Sequence, residues 1–592
     1  MNAFSRRSLI TGATAAGLLA ALPSPARALP APPPATPDRR AFAPDEQRFA
    51  QYLMLVAPMV ADMNSGGFFG GGWWRSPNVE YNARVQEHVH TLAWFATQSR
   101  PWNLYRGNAR VLAALDAGLG HYLGLQHADG SWPEYSPDQH SLAATGFAMG
   151  YLSKTNALLR RARVLPARQA QLTAALRRAM TWFLDPATGT VWQKPLTWAN
   201  QTASGLAGAA LALNQDPDPA LRRRLTEAFA RLATVGQSPA GYFYEESGAD
   251  TNYNVEVMLP ELADAWRQSG DPHLVAMTRR YTDWLGYNLL REPDGSGWFA
   301  NIATNSRTSS RFYADTRPDP ERTALNAQFV PEVPALAAFV SSREDLAAAR
   351  REWAASPAPV PALVKPDTSP RILTHALYGE RYPSRAERTA AIARLPYRRA
   401  HFTELRSDQG QDFLFVRRPR WYVGGYFGAR RATSLARTGL TFLWHPAAGT
   451  LVQSQNNNDH ACWGTVFPGQ VVDSDGAQQA EFLGGEPYRL RYRTPSGSVV
   501  TEVTVGERIT RSVRATSAAT EQIPLVVRDS DTVALDGRGL TLTRGRTVIR
   551  FDWAEQREPR LRPATTITYP GRRMHVLTVP HNGIFDLVVS VR

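Results

Sequence analysis

The chain has 592 residues, of which 43% are hydrophobic and 20% charged, with a formal net charge of +14; such a length requires more than one core, and the composition excludes a disordered or coiled-coil chain. The single cysteine, Cys462, excludes an internal disulfide and a metal–thiolate cluster. The basic residues are nearly all arginine and form no run that marks a nucleic-acid patch, although their excess favours encounter with a polyanion.

Residues 1–28 combine a short basic start, an apolar stretch and a small-x-small ending at Ala26-Arg27-Ala28. The Arg6-Arg7 pair within Ser-Arg-Arg-Ser-Leu-Ile is similar to a twin-arginine export signal. The expectation is a removed signal peptide, a periplasmic or secreted protein, and no stable membrane insertion, because no other segment approaches ~20 uninterrupted apolar residues. Residues 29–40, rich in Pro and Ala, read as an extended linker.

Within an expected domain of residues 41–345, a pattern recurs between residues 66 and 301 in which an aromatic, Gly-rich loop precedes a polar stretch and an Ala/Leu-rich segment of helical period. Trp73, Trp132, Trp192, Phe243 and Trp298 mark the loops, 59, 60, 51 and 55 residues apart. That spacing suits one helical hairpin per repeat. Small residues in 140–152, 200–213 and 255–266 suit inner helices that approach closely, whereas 167–184 and 219–235 have one charged face. The expected architecture is an α/α toroid, an incomplete barrel of hairpins. Eight residues beyond Trp74, Trp132, Trp192 and Tyr244 stand Asn82, His140, Asn200 and Asn252, with Tyr253 next. Such side chains also cap helices, but four in register, beside aromatics suited to stacking on sugars, point to a shared cleft at one end of the axis.

Residues 346–400 read as a Pro-rich linker with a short basic helix. Beyond 401, short runs such as DFLFVRR, GLTFLWH and SVVTEVTV, separated by Gly, Asn-Gly and Asp-Gly, indicate an antiparallel β-sandwich, so the fold class is α+β and multidomain. Within it Gln455-Asn456-Asn457-Asn458-Asp459-His460 is poor core material and suits gripping hydroxyls or a carboxylate. His445 is the weaker sandwich histidine.

The stretch Ala240-Gly-Tyr-Phe-Tyr244-Glu245-Glu246, leading to Tyr253 at a helix start, resembles the heparinase II/III-like and alginate-lyase group. Asn200-Gln201, one hairpin earlier, is similar to that group's Asn-His element, with Gln in place of His. The segment between the acidic residue and Tyr253 is longer than the group's pattern, and the stretch around Arg437 resembles its sandwich strand without the His and Asp.

The resemblance implies a polysaccharide lyase that removes the C5 proton of a uronic acid and expels the C4 oxygen, with an acidic polysaccharide as partner and no cofactor or metal. Asn200 and Gln201 would neutralise the substrate carboxylate. Tyr253 would act as base or acid, its phenol lowered by Arg75 or Arg311, with His140 on the opposite side and His460 from the sandwich. Trp73, Trp74, Arg75, Asn82, Trp132, Trp192, Tyr244, Glu246, Asn252, Trp298, Arg311 and Asn458 complete the expected substrate site. Two alternatives remain: a glycoside hydrolase on the same toroid, with paired carboxylates from Asp129, Glu134, Asp138, Glu245 and Glu246, and a glycan-binding protein that uses the aromatic residues alone.

Overall fold

The computed structural model describes residues 37–42, 46–246, 248–309, 311–315, 324–371, 378–456 and 461–591. The segment expected to direct export lies outside them, as do Asn458 and His460.

The helical part begins with α1 (Gln47–Leu53), α2 (Val56–Asp62), α3 (Val89–Thr97), α4 (Ala109–Gly124), α5 (Leu142–Ala162) and α6 (Pro166–Phe183). It continues with α7 (Ala199–Gln215), α8 (Pro219–Val235), α9 (Thr251–Tyr253), a π-turn (Asn254–Met258), α10 (Leu259–Ser269) and α11 (Pro272–Asn288). Helices α3, α5, α7 and α10 pack on one another as an inner layer, with α4, α6, α8 and α11 outside. The sequence dictates this division. Helix α6 buries Leu172, Ala175, Leu176, Ala179, Met180 and Phe183, one stripe at three- and four-residue spacing, whereas α5 is buried along most of its length.

Close packing of the inner layer depends on missing side chains. A Cβ on Gly208 of α7 would lie 2.3 Å from the Met149 carbonyl carbon of α5, and one on Gly146 would lie 2.4 Å from the Gln201 carbonyl oxygen. Both contacts are to backbone, so the helices would have to separate. Gly208→Ala is therefore expected to destabilise the protein by about 1–3 kcal/mol, read as a lower thermal midpoint with the helical circular dichroism retained; an unchanged midpoint would contradict the packing.

The recurring aromatics close these hairpins. Trp132 Nε1 donates to the Tyr122 carbonyl at the end of α4 (3.0 Å), and Trp192 Nε1 donates to the Phe183 carbonyl at the end of α6 (2.9 Å). Each indole bonds a carbonyl in the last turn of the outer helix, where intrahelical donors run short.

A small antiparallel sheet, Leu289–Arg291, Gly297–Ala300 and Phe312–Ala314, follows the helices. After α12 (Arg343–Ala355) and α13 (Arg385–Ala393) the chain forms two large antiparallel sheets, one of ten strands and one of eight. Leu414, Leu443 and Leu451 of the first pack against Leu490, Val503 and Phe551 of the second. The opposite face of the ten-stranded sheet meets the toroid, with the Phe413 ring 4.9 Å from that of Trp284 and Tyr422 donating to the Tyr287 carbonyl (2.8 Å). Two covered faces explain why Gly439–His445 is buried throughout, while Tyr488–Arg493 in the eight-stranded sheet alternates buried and exposed.

Candidate active site

Most of the expected aromatic platforms are core residues. Trp73, Trp132, Trp192, Tyr244 and Trp298 are all buried, which removes their faces from any ligand. Trp73 donates to Asp62 (2.9 Å) and Trp298 to Asp315 (3.1 Å). Tyr244 receives a hydrogen bond from Gln409 of the ten-stranded sheet side (3.3 Å). Asn82 is also structural: it is fully buried, its Oδ1 accepts from Arg84 N (3.0 Å), and its Nδ2 donates to the Pro77 carbonyl (2.8 Å). A period of hairpins and a period of platforms look alike in sequence, because a Trp that closes a helix end recurs as regularly as one that stacks on sugar.

Two of the expected residues, Asn200 and Tyr253, do come together, through the expected Glu245 and Glu246 and through Arg307 and Asp250, which the sequence pattern does not single out. Asn200, in the first turn of α7, donates to Glu245 Oε2 (2.5 Å). Arg307 Nη1 meets Glu245 Oε1 at 2.5 Å, and Arg307 Nε meets Glu246 Oε1 at 3.2 Å. The same guanidinium lies 4.6 Å from the centre of the Tyr253 ring. Asp250 holds this arrangement. Its carboxylate accepts from Tyr253 N (3.0 Å), Arg307 N (2.9 Å), Thr308 N (2.8 Å) and the Thr308 hydroxyl (2.8 Å), fastening the start of α9 to the Arg307 arm. Glu246 has a left-handed backbone, φ +51°, a strained conformation of a kind that clusters at functional sites.

Burial pushes the Glu245 carboxyl up to about 8, against the opposing pull of Arg307 and the Asn200 amide, with Asp250 adding like charge. Desolvation disfavours the anion more than one shared cation restores it. Around this buried pair lies unused hydrogen-bonding capacity. The Tyr253 hydroxyl and the Gln201 amide, both half-buried, bond to no other side chain or carbonyl among the described residues. The neighbouring Trp198 indole N–H also lacks a partner. Asn252, half-buried, lies beside Tyr313.

The sheet domain reaches this site. Thr433 donates to the Ser306 carbonyl (2.9 Å), Asn456 donates to the Thr308 carbonyl (2.9 Å), and a Cβ on Gly248 would lie 2.2 Å from that of Ala432. Arg437 donates its N–H to the Ala303 carbonyl (2.7 Å) and pairs with Asp475. Burial lowers the Arg311 guanidinium from its usual range, against the opposing influence of Tyr569. His445 is a satisfied packing residue: its Nδ1 accepts from Ala447 N and Ala448 N, and burial pushes it down to about 4.

His140 is held by the residues of its own loop. Its half-exposed ring bonds through Nδ1 to Asp129 (2.7 Å) and Ser131 (2.7 Å), and no contact joins it to Asn200 or Tyr253 among the described residues. Asn200 and Tyr253 are thus joined through Glu245 and Arg307, whereas His140 is bound within its own loop. Trp74 and Arg75 belong to a third group. Arg75 lies over the Trp74 ring at 4.3 Å, and the Trp74 indole bonds Glu87, which also pairs with Arg84. Arg75 makes no ion pair or side-chain hydrogen bond among the described residues; burial, with Arg84 and Arg371 nearby, pushes it down to about 10.

Neither a family model nor a curated protein sequence matches the chain. Among solved structures it is similar to the chondroitin AC lyase of Streptomyces coelicolor A3 in complex with chondroitin sulphate, at 15% identity and a TM-score of 0.50 over 93% of this chain and 80% of that one. A tyrosine-to-alanine variant of that lyase gives 15% identity and a TM-score of 0.54 over the same 93% and 80%. Heparinase III gives 10% identity and a TM-score of 0.51 over 93% of this chain and 85% of its own. The fold is therefore that of the α/α toroid with antiparallel β-sheets behind it, as expected from the sequence.

Proposed function

We propose that the protein is an exported polysaccharide lyase that cleaves a uronic-acid-containing acidic polysaccharide by β-elimination, leaving an unsaturated sugar at the new non-reducing end. The observation that carries this reading is the Arg307 guanidinium held over the Tyr253 ring by Glu245 and Glu246, beside Asn200. The likeness of fold to a lyase bound to chondroitin sulphate supports the substrate class.

Elimination poses two problems. The C5 proton becomes acidic only when the adjacent carboxylate is neutralised, and the unbonded Gln201 amide and the second N–H of the Asn200 amide supply donors for that group. A base must then take the proton and an acid must protonate the departing C4 oxygen. The Tyr253 hydroxyl, bonded to no group among the described residues and with the Arg307 guanidinium against its ring, serves both steps. The hydrolase alternative has less support, because four of its five carboxylates are tied into ion pairs, Asp129 with His140, Glu134 with Arg84, and Glu245 and Glu246 with Arg307.

Incubation with a panel of uronic-acid polymers tests the reading. A rise in ultraviolet absorbance from the C4–C5 double bond is expected with at least one, and shortened chains without that absorbance would count against elimination. Arg75, which lies over the Trp74 ring and makes no ion pair among the described residues, is the cation proposed to meet a substrate anion. Losing one hydrogen bond to a charged group costs about 1.5–3 kcal/mol. Arg75→Ala should therefore raise KM roughly ten- to hundredfold with kcat little changed, an effect that salt reduces; a loss confined to kcat would assign Arg75 a different role.

A further inference from the structure

We propose that His127, Asp129 and His140 form a binding site for one divalent transition-metal ion of the zinc class. Each offers one ligand atom, and these atoms lie within 4.8 Å of one another. Zinc bound to imidazole nitrogen and carboxylate oxygen at about 2.0–2.2 Å sets tetrahedral donors about 3.4 Å apart, so modest side-chain rotation closes the set.

The hydrogen bonds show that a lone pair faces the centre. His127 Nε2 lies 2.8 Å from the Pro137 carbonyl oxygen, which only accepts, so Nε2 carries the ring proton and Nδ1 of the neutral ring is bare. A backbone carbonyl that fixes the tautomer in this way is the usual support of a metal-binding histidine. Nδ1 faces the Ser131 hydroxyl at 3.1 Å, but that hydroxyl is also 2.7 Å from Asp129 Oδ1 and 2.7 Å from His140 Nδ1. One hydroxyl has one proton, and the carboxylate is its strongest acceptor. His127 Nδ1 is therefore left without a donor. His140 Nδ1 meets Asp129 Oδ2 at 2.7 Å, and the proton between them is the one a metal ion would displace.

The scaffold is rigid before any ion arrives. His127 N donates to the Ser131 carbonyl (2.9 Å), and Trp132 pairs with Ser141 as an isolated antiparallel bridge. Gly130, at φ +98°, presses the loop onto α6, where a Cβ would lie 2.4 Å from the Arg178 carbonyl oxygen. The Asp129 and His140 side chains are 37% and 51% exposed, which leaves coordination positions open to water. Two histidines and a carboxylate suit zinc and its transition-metal neighbours better than magnesium. The same loop carries Glu134, which bonds Ser141 (2.9 Å) and faces Arg84 (3.6 Å), so occupancy would stiffen the wall beside Arg75. The sequence led to no such expectation because a single cysteine removes only thiolate sites.

Calorimetric titration of the full chain, stripped with chelator and desalted, tests the site with ZnCl2 alone and with MgCl2 as the control. One zinc per chain is expected, weakened at least tenfold in His127→Gln and in His140→Gln, with circular dichroism unchanged and no magnesium binding. No zinc binding, or zinc binding equally tight in both variants, would overturn the assignment. Neither result bears on the lyase reading, because the measurement uses no glycan.

Discussion

Tyr253→Phe should lower turnover by about 10²–10⁴-fold, the range that a positioned acid–base group supplies, while leaving thermal stability within about 0.5 kcal/mol. The asymmetry follows from the contacts of this residue. The backbone N–H of Tyr253 is bound by Asp250 and its ring lies against Arg307, and both contacts survive in Phe. Only the hydroxyl is lost, and it bonds no protein group among the described residues. A structural tyrosine would show the reverse, with stability lost and turnover kept.

Replacing Arg307 by Gln should act on both activity and pH dependence. Turnover is expected to fall about 10²-fold, the size of effect seen when one charge-stabilising donor is removed, because Tyr253 loses its cation. Stability changes less at neutral pH, because Glu245 can hold a proton rather than remain a bare buried charge. The pH window follows from the direction of the shift. Glu245 ionises near 4.5 when unfolded and at about 8 when folded, so its stabilising contribution is full below pH 4.5 and is lost as pH rises to about 8. Without Arg307 the folded value moves higher still, and the decline should continue above pH 8. Asp473, which burial pushes from 3.8 up to about 7, adds a decline between those values in every variant. Glu245→Gln should keep the Asp473 part and lose the rest. Thermal midpoints from pH 4 to 10 check this, and superimposable profiles for the wild type and Arg307→Gln would contradict the pairing.

The toroid was legible in the sequence because inner and outer helices obey different burial rules. Gly146, Gly205 and Gly208 appear as small residues at helical spacing, and those positions are where α5 and α7 approach too closely for a Cβ or where Phe183 packs. The helix starts were also legible. Counting onward from each aromatic loop reached Asn82, a cap, and Asn200, in the first turn of α7. What the count does not distinguish is an indole on a carbonyl from an indole on a sugar, so by sequence alone Trp132 and Trp192 fit the platform role that their burial removes. Arg307 gave no signal, because it enters from an irregular segment 62 residues beyond Glu245 with no period to mark it. His140 is a different case. It occupies the expected register beside α5, but Asp129, eleven positions earlier in a tight turn, claims its ring nitrogen. Register fixes where a residue sits on an element, and only the packed loops decide which way its side chain is drawn.

Cleavage of a uronic-acid polymer in water enriched in oxygen-18, followed by mass spectrometry of the fragments, tests the central claim most directly. Elimination breaks the C4–O bond without adding water, so the new non-reducing end should be lighter by one water and neither new end should gain the heavy isotope through bond cleavage. Brief reactions keep sugar-hemiacetal exchange at the reducing end from obscuring the result. One oxygen-18 per cleavage, with saturated ends on both fragments, would show hydrolysis and contradict the role assigned to Tyr253 and Arg307.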